Sequence, residues 1–213
     1  MGYQYFELLN GVTKYSKAQQ GDCFFTIDGR VTNFQVKEFA CKDGSDEILI
    51  DCELVKKLQA LRDRFGVTTI NSAYRTPSWN SKVGGAKGSY HVQGKASDTV
   101  CVNASPLEVA MVAEAWGMGG IGLYSSFTHI DTRKGCARWD SSRGGQVGVL
   151  TFLKTIRLGA SGQLVRILQK YLKIKESGLF DLTTLNRVKE FQKLHKLDVD
   201  GIVGKNTWTA LLK

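Results

Sequence analysis

The 213-residue chain lacks several features that define broad protein classes. No stretch approaches the roughly 18 consecutive apolar residues that span a bilayer, so we expect no membrane insertion. The first ten residues, MGYQYFELLN, have no basic region followed by an apolar core and therefore predict no signal peptide. Only two prolines occur, and the 23 glycines show no fixed period, which excludes a collagen-like chain.

Cysteine is also scarce, and its positions form no recognisable pattern. The five residues Cys23, Cys41, Cys52, Cys101 and Cys136 are odd in number and have no CxxC spacing. We therefore expect no disulfide framework and synthesis in a reducing cytosol. Burial as small apolar side chains is a better interpretation of these cysteines than a nucleophilic role.

The positive charge is concentrated near the C-terminus. The chain carries a net charge of +9, and residues 156–213 hold eleven Lys/Arg against five Asp/Glu. A basic module beside a nearly neutral larger one favours a polyanionic partner, which could be nucleic acid, an acidic membrane surface or an anionic bacterial wall. Nucleic acid is the weakest of these, because the tail has no interleaved aromatics and no obvious recognition helix.

The C-terminal segment contains an internal repeat with an offset of 23 residues. Under this shift, Val165, Gln169, Lys170, Lys173, Gly178 and Thr184 coincide with Val188, Gln192, Lys193, Lys196, Gly201 and Thr207. Each unit has helical apolar spacing followed by a glycine turn. The pattern predicts a compact three-helix module within residues 156–213, joined to the rest by a linker at 141–155.

Residues 1–140 predict a domain of the α+β class, a small mixed or antiparallel sheet with helices. A helix is expected between Asp51 and Gly66, and a second from Pro106 to about Trp116 after a capping-box pattern. Residues 67–74, 98–102 and 120–133 have the composition of strands.

Two of the three histidines lie in sequences that suggest a metal site. His91 is followed by Asp98, and His129 lies further along the chain, a three-ligand set that suits zinc and leaves a fourth position open. Gly94 would permit a tight loop between the first two ligands. Asp131 would share a strand face with His129 and could orient it or act on a bound water. From spacing alone, a surface or capping pair is the more common explanation of such residues.

The motifs around these residues resemble a known family. SAYRTP, SYHVQGKASD and FTHIDTR resemble, in this order, the zinc D-alanyl-D-alanine carboxypeptidase family, including its phage and bacterial wall-lytic branch. That family is related in fold to the vancomycin-resistance dipeptidases and to the hedgehog signalling domain. The resemblance covers roughly residues 30–140. It implies that His91, Asp98 and His129 hold Zn²⁺ and that Arg75 steadies a substrate carboxylate or the developing oxyanion.

One position departs from this family. Several members have Glu or Asp three residues before the last histidine as the general base, and this chain has Ser126 there. We assign Asp131 as the substitute catalytic residue, because it shares a strand face with His129.

The tail resembles the three-helix peptidoglycan-binding domain through Leu168-Gln169, Phe191-Gln192 and the segment DGIVG at 200–204. Together the two resemblances imply a zinc peptidase that hydrolyses peptide bonds of peptidoglycan, as a carboxypeptidase or an endopeptidase. We expect a monomer that is made in the cytosol and acts at the bacterial wall, either as a phage endolysin released through a holin or as an exported autolysin. The alternative is a non-catalytic zinc-containing wall-binding protein.

Overall fold

The computed structural model describes residues 3–213. Met1 and Gly2, which begin the predicted catalytic domain and its N-terminal segment, lie outside the described residues. The chain forms two compact units, one made of residues up to Ala110 with Met118–Val149, the other of Met111–Gly117 with Leu150–Lys213. The α+β class with a helical C-terminal module is confirmed. None of the described helices is long and apolar enough to cross a membrane.

The first unit begins with two small sheets that the sequence analysis did not predict. Their elements are β1 (Tyr5–Glu7), β2 (Val12–Ser16), α1 (Lys17–Gln20), β3 (Phe24–Ile27), β4 (Arg30–Gln35), a 3₁₀ turn (Val36–Phe39) and β5 (Glu47–Asp51). Strands β1, β3 and β4 form one sheet, and β2 pairs with β5 in the other. Phe25, Phe34 and Phe39 are fully buried, and Phe25 and Phe34 each contact Phe39 edge to face.

Helix α2 (Cys52–Phe65) begins and ends where the sequence predicted. Its buried side chains Leu54, Leu58 and Leu61 recur at helical spacing and form an apolar face. The helix ends at Gly66, whose φ of +77° is a conformation that glycine adopts without a steric penalty. This face packs toward the two strands that follow, so α2 supports the sheet that carries the candidate site.

The principal sheet has six strands in the order β11-β10-β8-β9-β7-β6. Its elements, with the intervening helices, are β6 (Thr68–Ser72), α3 (Pro77–Lys82), β7 (Ala96–Cys101), α4 (Pro106–Ala115), β8 (Gly120–Leu123), β9 (Thr128–Asp131), β10 (Ala137–Asp140) and β11 (Val147–Gly148). All pairings are antiparallel except that of β10 with β8.

The strand prediction over 120–133 is confirmed at 120–123 and 128–131, but a turn divides the segment into two strands. That segment is a hairpin of β8 and β9, closed by a turn in which the Tyr124 amide donates to the Phe127 carbonyl over 3.1 Å. Ser125 and Ser126 are exposed at the turn, which fits the preference of serine for turns.

Four of the five cysteines are buried, as expected, whereas Cys136 is exposed. Cys136 follows Lys134 and Gly135, both exposed, in the connection between β9 and β10. The expectation of burial is therefore wrong for this residue, because it lies in a polar loop rather than in a core-facing element.

The second unit contains three helices, α5 (Gln163–Tyr171), α6 (Leu182–Leu194) and α7 (Lys205–Leu212). The 23-residue repeat is visible as a repeated hydrogen-bond network. The buried Gln169 amide donates to the Leu179 carbonyl and the Thr184 hydroxyl, and its oxygen accepts from the Gly178 amide. The equivalent Gln192 makes the same three contacts.

In the second copy, the partners of Gln192 are the Ile202 carbonyl, the Thr207 hydroxyl and the Gly201 amide. We expect Gln192→Ala to lower the free energy of unfolding of this unit by about 1–3 kcal/mol, because the Gly201 N–H loses its acceptor. Denaturant unfolding measures the change, with the exposed Lys193→Ala as a matched control on the same helix. Equal stability of the two variants would contradict a structural role for the repeated glutamine.

Candidate metal centre and catalytic cleft

An open cleft of about 670 Å³ lies on the first unit. Its walls include His91, Asp98 and His129 as well as Tyr124 and Trp139. The cleft therefore contains all three predicted metal ligands.

The sheet register brings these side chains together. Asp98 in β7 lies opposite His129 in β9, His129 lies opposite Gly122 in β8, and Gly122 lies beside Trp139 in β10. Directly paired residues in neighbouring strands point to the same face of a sheet. The four residues consequently form one row across four strands, and that row faces the cleft.

His91 reaches the same row from a loop. A tight turn returns the chain at Gly94, whose amide donates to the His91 carbonyl over 3.1 Å. Gly94 has a φ of +68°, and a Cβ there would lie 2.5 Å from the backbone of Leu49. Glycine is required at this position because both the backbone conformation and the space exclude a side chain.

Three ligand atoms converge in the buried cluster of His91, Asp98 and His129. The Oδ1 atom of Asp98 lies 2.9 Å from Nδ1 of His129 and 3.3 Å from Nε2 of His91. The two imidazole nitrogens are 3.2 Å apart. Such separations place one carboxylate oxygen and two ring nitrogens around a common point.

The hydrogen-bond partners of the outer ring nitrogens determine whether the inner ring nitrogens carry a proton. Nδ1 of His91 lies 2.7 Å from the Ala73 carbonyl, and Nε2 of His129 lies 3.1 Å from Oδ2 of Asp131. Both partners are acceptors, so each outer nitrogen carries the proton of a neutral ring. The inner nitrogens are then bare lone pairs that face each other and a carboxylate. Three acceptors in contact require a cation between them, and the donor set fits a metal ion.

The pKa shifts show the same preference for positive charge at this point, with a proton on His129 taking the place of a metal ion. Burial acts to raise the pKa of Asp98, but the contacts with His129 and His91 outweigh it and hold the pKa below its ordinary value. Burial acts to lower the pKa of His129, yet the contacts with Asp131 and Asp98 raise it overall.

Arg75 lies in the cleft and contacts the cluster directly. Its Nη2 atom donates to Oδ2 of Asp98 over 2.5 Å, and its Nε atom donates to the Ser72 hydroxyl over 2.8 Å. The guanidinium therefore holds the outer oxygen of Asp98 while the inner oxygen faces the histidines. Arg75 can both position this ligand and present positive charge to the cleft.

Asp131 is buried and does not line the cleft. Its side chain has no exposed surface, and its carboxylate accepts from Nε2 of His129 and from the Arg133 guanidinium, whose Nε lies 2.8 Å from Oδ1. Burial acts to raise the pKa of Asp131, but these contacts lower it overall. Of the two roles predicted for Asp131, the arrangement favours orienting His129 over accepting a proton from water in the cleft.

Ser126 is exposed in the turn between β8 and β9 and does not line the cleft. Among the cleft-lining residues that the structure describes, Asp98 is the one carboxylate.

Asp131→Asn tests the orienting role. The amide keeps the shape but can present its NH₂ group to His129, which favours the wrong tautomer. We expect metal affinity to fall about 10- to 100-fold, the usual cost of changing a partner of a metal-ligating histidine. Metal titration followed by calorimetry measures the loss, and excess metal should fill the variant's site to the parent's stoichiometry. A variant with unchanged affinity would show that Asp131 does not hold the ligand.

Two glycines of β8 belong to the site, and the sequence analysis missed them. A Cβ on Gly120 would lie 2.0 Å from Oδ2 of Asp131, and one on Gly122 would lie 2.3 Å from the Trp139 indole. The glycines make room for these two side chains above the sheet. Glycine in a strand interior is a signal of close approach, and the Gly-Ile-Gly pattern at 120–122 carries that signal.

The geometry defines a class of protein: an α+β domain with a buried His-Asp-His group beside an open cleft, followed by a three-helix module. Comparison with known families agrees. Residues 32–131 match the family described as "Peptidase M15", and residues 161–211 match the family described as "Putative peptidoglycan binding domain". The chain thus carries a Peptidase M15 domain followed by a C-terminal peptidoglycan-binding domain.

Individual relatives cover only parts of the chain. A Haemophilus influenzae protein named "Probable peptidoglycan L,D-endopeptidase MepK" is 32% identical over 94 residues, covering 39% of this chain and half of the relative. A peptidoglycan-binding protein of Clostridioides difficile, solved with glutamine hydroxamate, is 33% identical over 32% of this chain and 45% of its own, with a TM-score of 0.28. A fused Zn-dependent amidase/peptidase/peptidoglycan-binding protein of Clostridium acetobutylicum is 33% identical over 27% of this chain and 28% of its own, with a TM-score of 0.27.

Proposed function

We propose that this protein is a zinc-dependent peptidase that hydrolyses peptide bonds of bacterial peptidoglycan and is held on the wall by its C-terminal domain. The observation that carries the proposal is the convergence of His91, Asp98 and His129 as bare acceptors inside a Peptidase M15 domain. The name of the Haemophilus relative, which specifies peptidoglycan, supports the substrate class.

The residues in and around the cleft would have separate roles in such a reaction. Zinc bound by the three ligands would supply a Lewis acid that polarises the scissile carbonyl and activates water. Ala73 and Asp131 fix the tautomers of the two ligating rings, so that the inner nitrogens are available without a proton loss at each binding event. Arg75 supplies positive charge where the carbonyl oxygen becomes negative.

The division of the chain follows the same proposal. We assign catalysis to residues 1–140, a connecting role to 141–155 and wall binding to 156–213. The basic charge of the last segment supports attraction to an anionic wall. This module should sediment with purified walls, and less so as salt rises, because added ions screen long-range attraction.

A second candidate function has one observation in its favour. The position of the relatives' general base is the exposed Ser126, and Asp131 is enclosed, so no uncommitted carboxylate lines the described cleft. A wall-binding protein with a structural metal would tolerate that arrangement.

Turbidity of purified peptidoglycan distinguishes the two functions. We expect the metal-loaded protein to lower the turbidity, a chelator to stop the reaction and added zinc to restore it. Mass spectrometry of the released fragments identifies the bond that is cut and separates carboxypeptidase from endopeptidase activity. A protein that binds walls and metal but releases no fragment from any wall type would support the binding function.

A further inference from the structure

Trp139 and Tyr124 form an aromatic wall of the cleft and are not metal ligands. Trp139 and Tyr124 are both half-buried there. Trp139 donates its indole N–H to the Tyr124 hydroxyl oxygen over 3.3 Å. Its ring centroid lies 5.0 Å from that of His129, so the indole bridges the metal-ligand row and the tyrosine.

The position of Trp139 depends on the bare backbone of Gly122. The two residues are paired between β10 and β8, and the indole fills the space that a Cβ on Gly122 would occupy. Trp139 can therefore lean across the strand toward His129, which lies on the other side of Gly122. The indole is fixed by the sheet register rather than by a flexible loop.

Tyr124 is held by three separate contacts. Its ring stacks on Phe127 with centroids 4.3 Å apart, its backbone amide donates to the Phe127 carbonyl, and its hydroxyl oxygen accepts from Trp139. The hydroxyl proton has no acceptor among the residues that the structure describes. Because the indole occupies one lone pair of the oxygen, the O–H bond must point elsewhere, and the side chain borders the cleft.

The other uncharged hydroxyls of the cleft are differently placed. Ser89 accepts a hydrogen bond from the His91 backbone, and the Tyr90 ring is covered by the Arg133 guanidinium, 4.6 Å from its centroid. Tyr124 is the hydroxyl whose orientation is set by a neighbour that itself contacts a metal-ligand ring.

We propose that Tyr124 is a substrate-contacting residue that donates a hydrogen bond to a carbonyl or carboxylate oxygen of a peptidoglycan stem peptide, and that Trp139 is the positioning residue that aims it. This rests on the proposed peptidase function for the identity of the substrate. Gly122 is required because any side chain there displaces the indole.

Tyr124→Phe removes the hydroxyl and keeps the stacked ring. We expect kcat/KM on soluble stem peptides to fall roughly 3- to 10-fold, the range for one neutral hydrogen bond, with zinc content unchanged. Tyr5→Phe, an exposed tyrosine on β1, is the matched control and should equal the parent. Full activity of Tyr124→Phe would overturn the proposal.

A double-mutant cycle tests whether Trp139 acts through Tyr124. Trp139→Phe should lower kcat/KM by a similar factor in the parent and by less than about 2-fold when Tyr124 is already Phe, because coupled residues are not additive. A merely structural tryptophan would cost the same in both backgrounds, which would refute the positioning role.

Two readouts are independent of hydrolysis. The indole N–H resonance of Trp139, assigned by its loss in Trp139→Phe, should shift in Tyr124→Phe; an unmoved resonance contradicts the hydrogen bond. Calorimetric binding of muropeptides to the zinc-loaded protein should weaken in Tyr124→Phe, and equal binding and equal activity reject the contact. If the parent cleaves nothing but binding still weakens, the peptidase function fails while the Tyr124 contact stands.

Discussion

His91→Ala should abolish zinc binding and reduce wall hydrolysis to the level of the chelated parent. The variant removes one of three converging acceptors and leaves Asp98 and His129, whose two ligand atoms, 2.9 Å apart, are too few for a stable catalytic site. We expect metal analysis to fall from about one zinc per chain to nearly none, in line with a site of three protein ligands. The measurement needs no substrate, so it tests the metal centre separately from the peptidase function.

The chain offers a matched control in its third histidine. His195 is exposed at the end of α6 and stacks on Phe191, remote in sequence from all three ligands. His195→Ala should retain the metal stoichiometry of the parent. If His91→Ala retained its zinc while remaining folded, the ligand assignment would have to be abandoned.

Local sequence rules predicted the parts of the site that lie close together in the chain. Strand alternation was sufficient to place His129 and Asp131 on one face, and the structure has their side chains 3.1 Å apart. The glycine turn between His91 and Asp98 was likewise a local expectation, and Gly94 has the positive φ that such a turn requires.

Long-range pairing was beyond those rules. The row of Asp98, His129, Gly122 and Trp139 depends on the register of β7 with β9 and of β8 with β10, which are not consecutive strands, and local spacing does not determine it. For the same reason the sequence could not show that Arg75 contacts Asp98 or that Gly120 makes room for Asp131.

The small N-terminal sheets were missed for a different reason. Their strands have three to six residues, and β1 and β2 alternate too briefly to separate a strand from a loop. The turn at 124–127 was missed because Tyr124 and Phe127 have high strand propensity. Their preference outweighs the turn signal of the two exposed serines between them. Whether such short segments form strands or turns depends on the partner strands that the rest of the fold provides.

Arg75→Ala should lower kcat/KM by about 10²–10³, the usual cost of removing a group that stabilises an oxyanion. The side chain also holds Oδ2 of Asp98, so its loss is expected to weaken zinc affinity by about 10- to 100-fold as well. Measuring kcat/KM as a function of zinc concentration separates the two effects. If Arg75 stabilises the transition state, kcat/KM remains low at saturating zinc; if it acts only by holding Asp98, activity returns to the parent value.

Arg75→Lys refines this test, because it keeps one positive charge but cannot contact Ser72 and Asp98 together with a planar fork. We expect partial recovery of kcat/KM over Arg75→Ala, since electrostatic stabilisation of the oxyanion needs charge near the carbonyl oxygen. Arg30→Ala, an exposed arginine on β4, serves as the control and should match the parent. Full activity of Arg75→Ala at saturating zinc would remove Arg75 from the catalytic group and leave it as a partner of Asp98 alone.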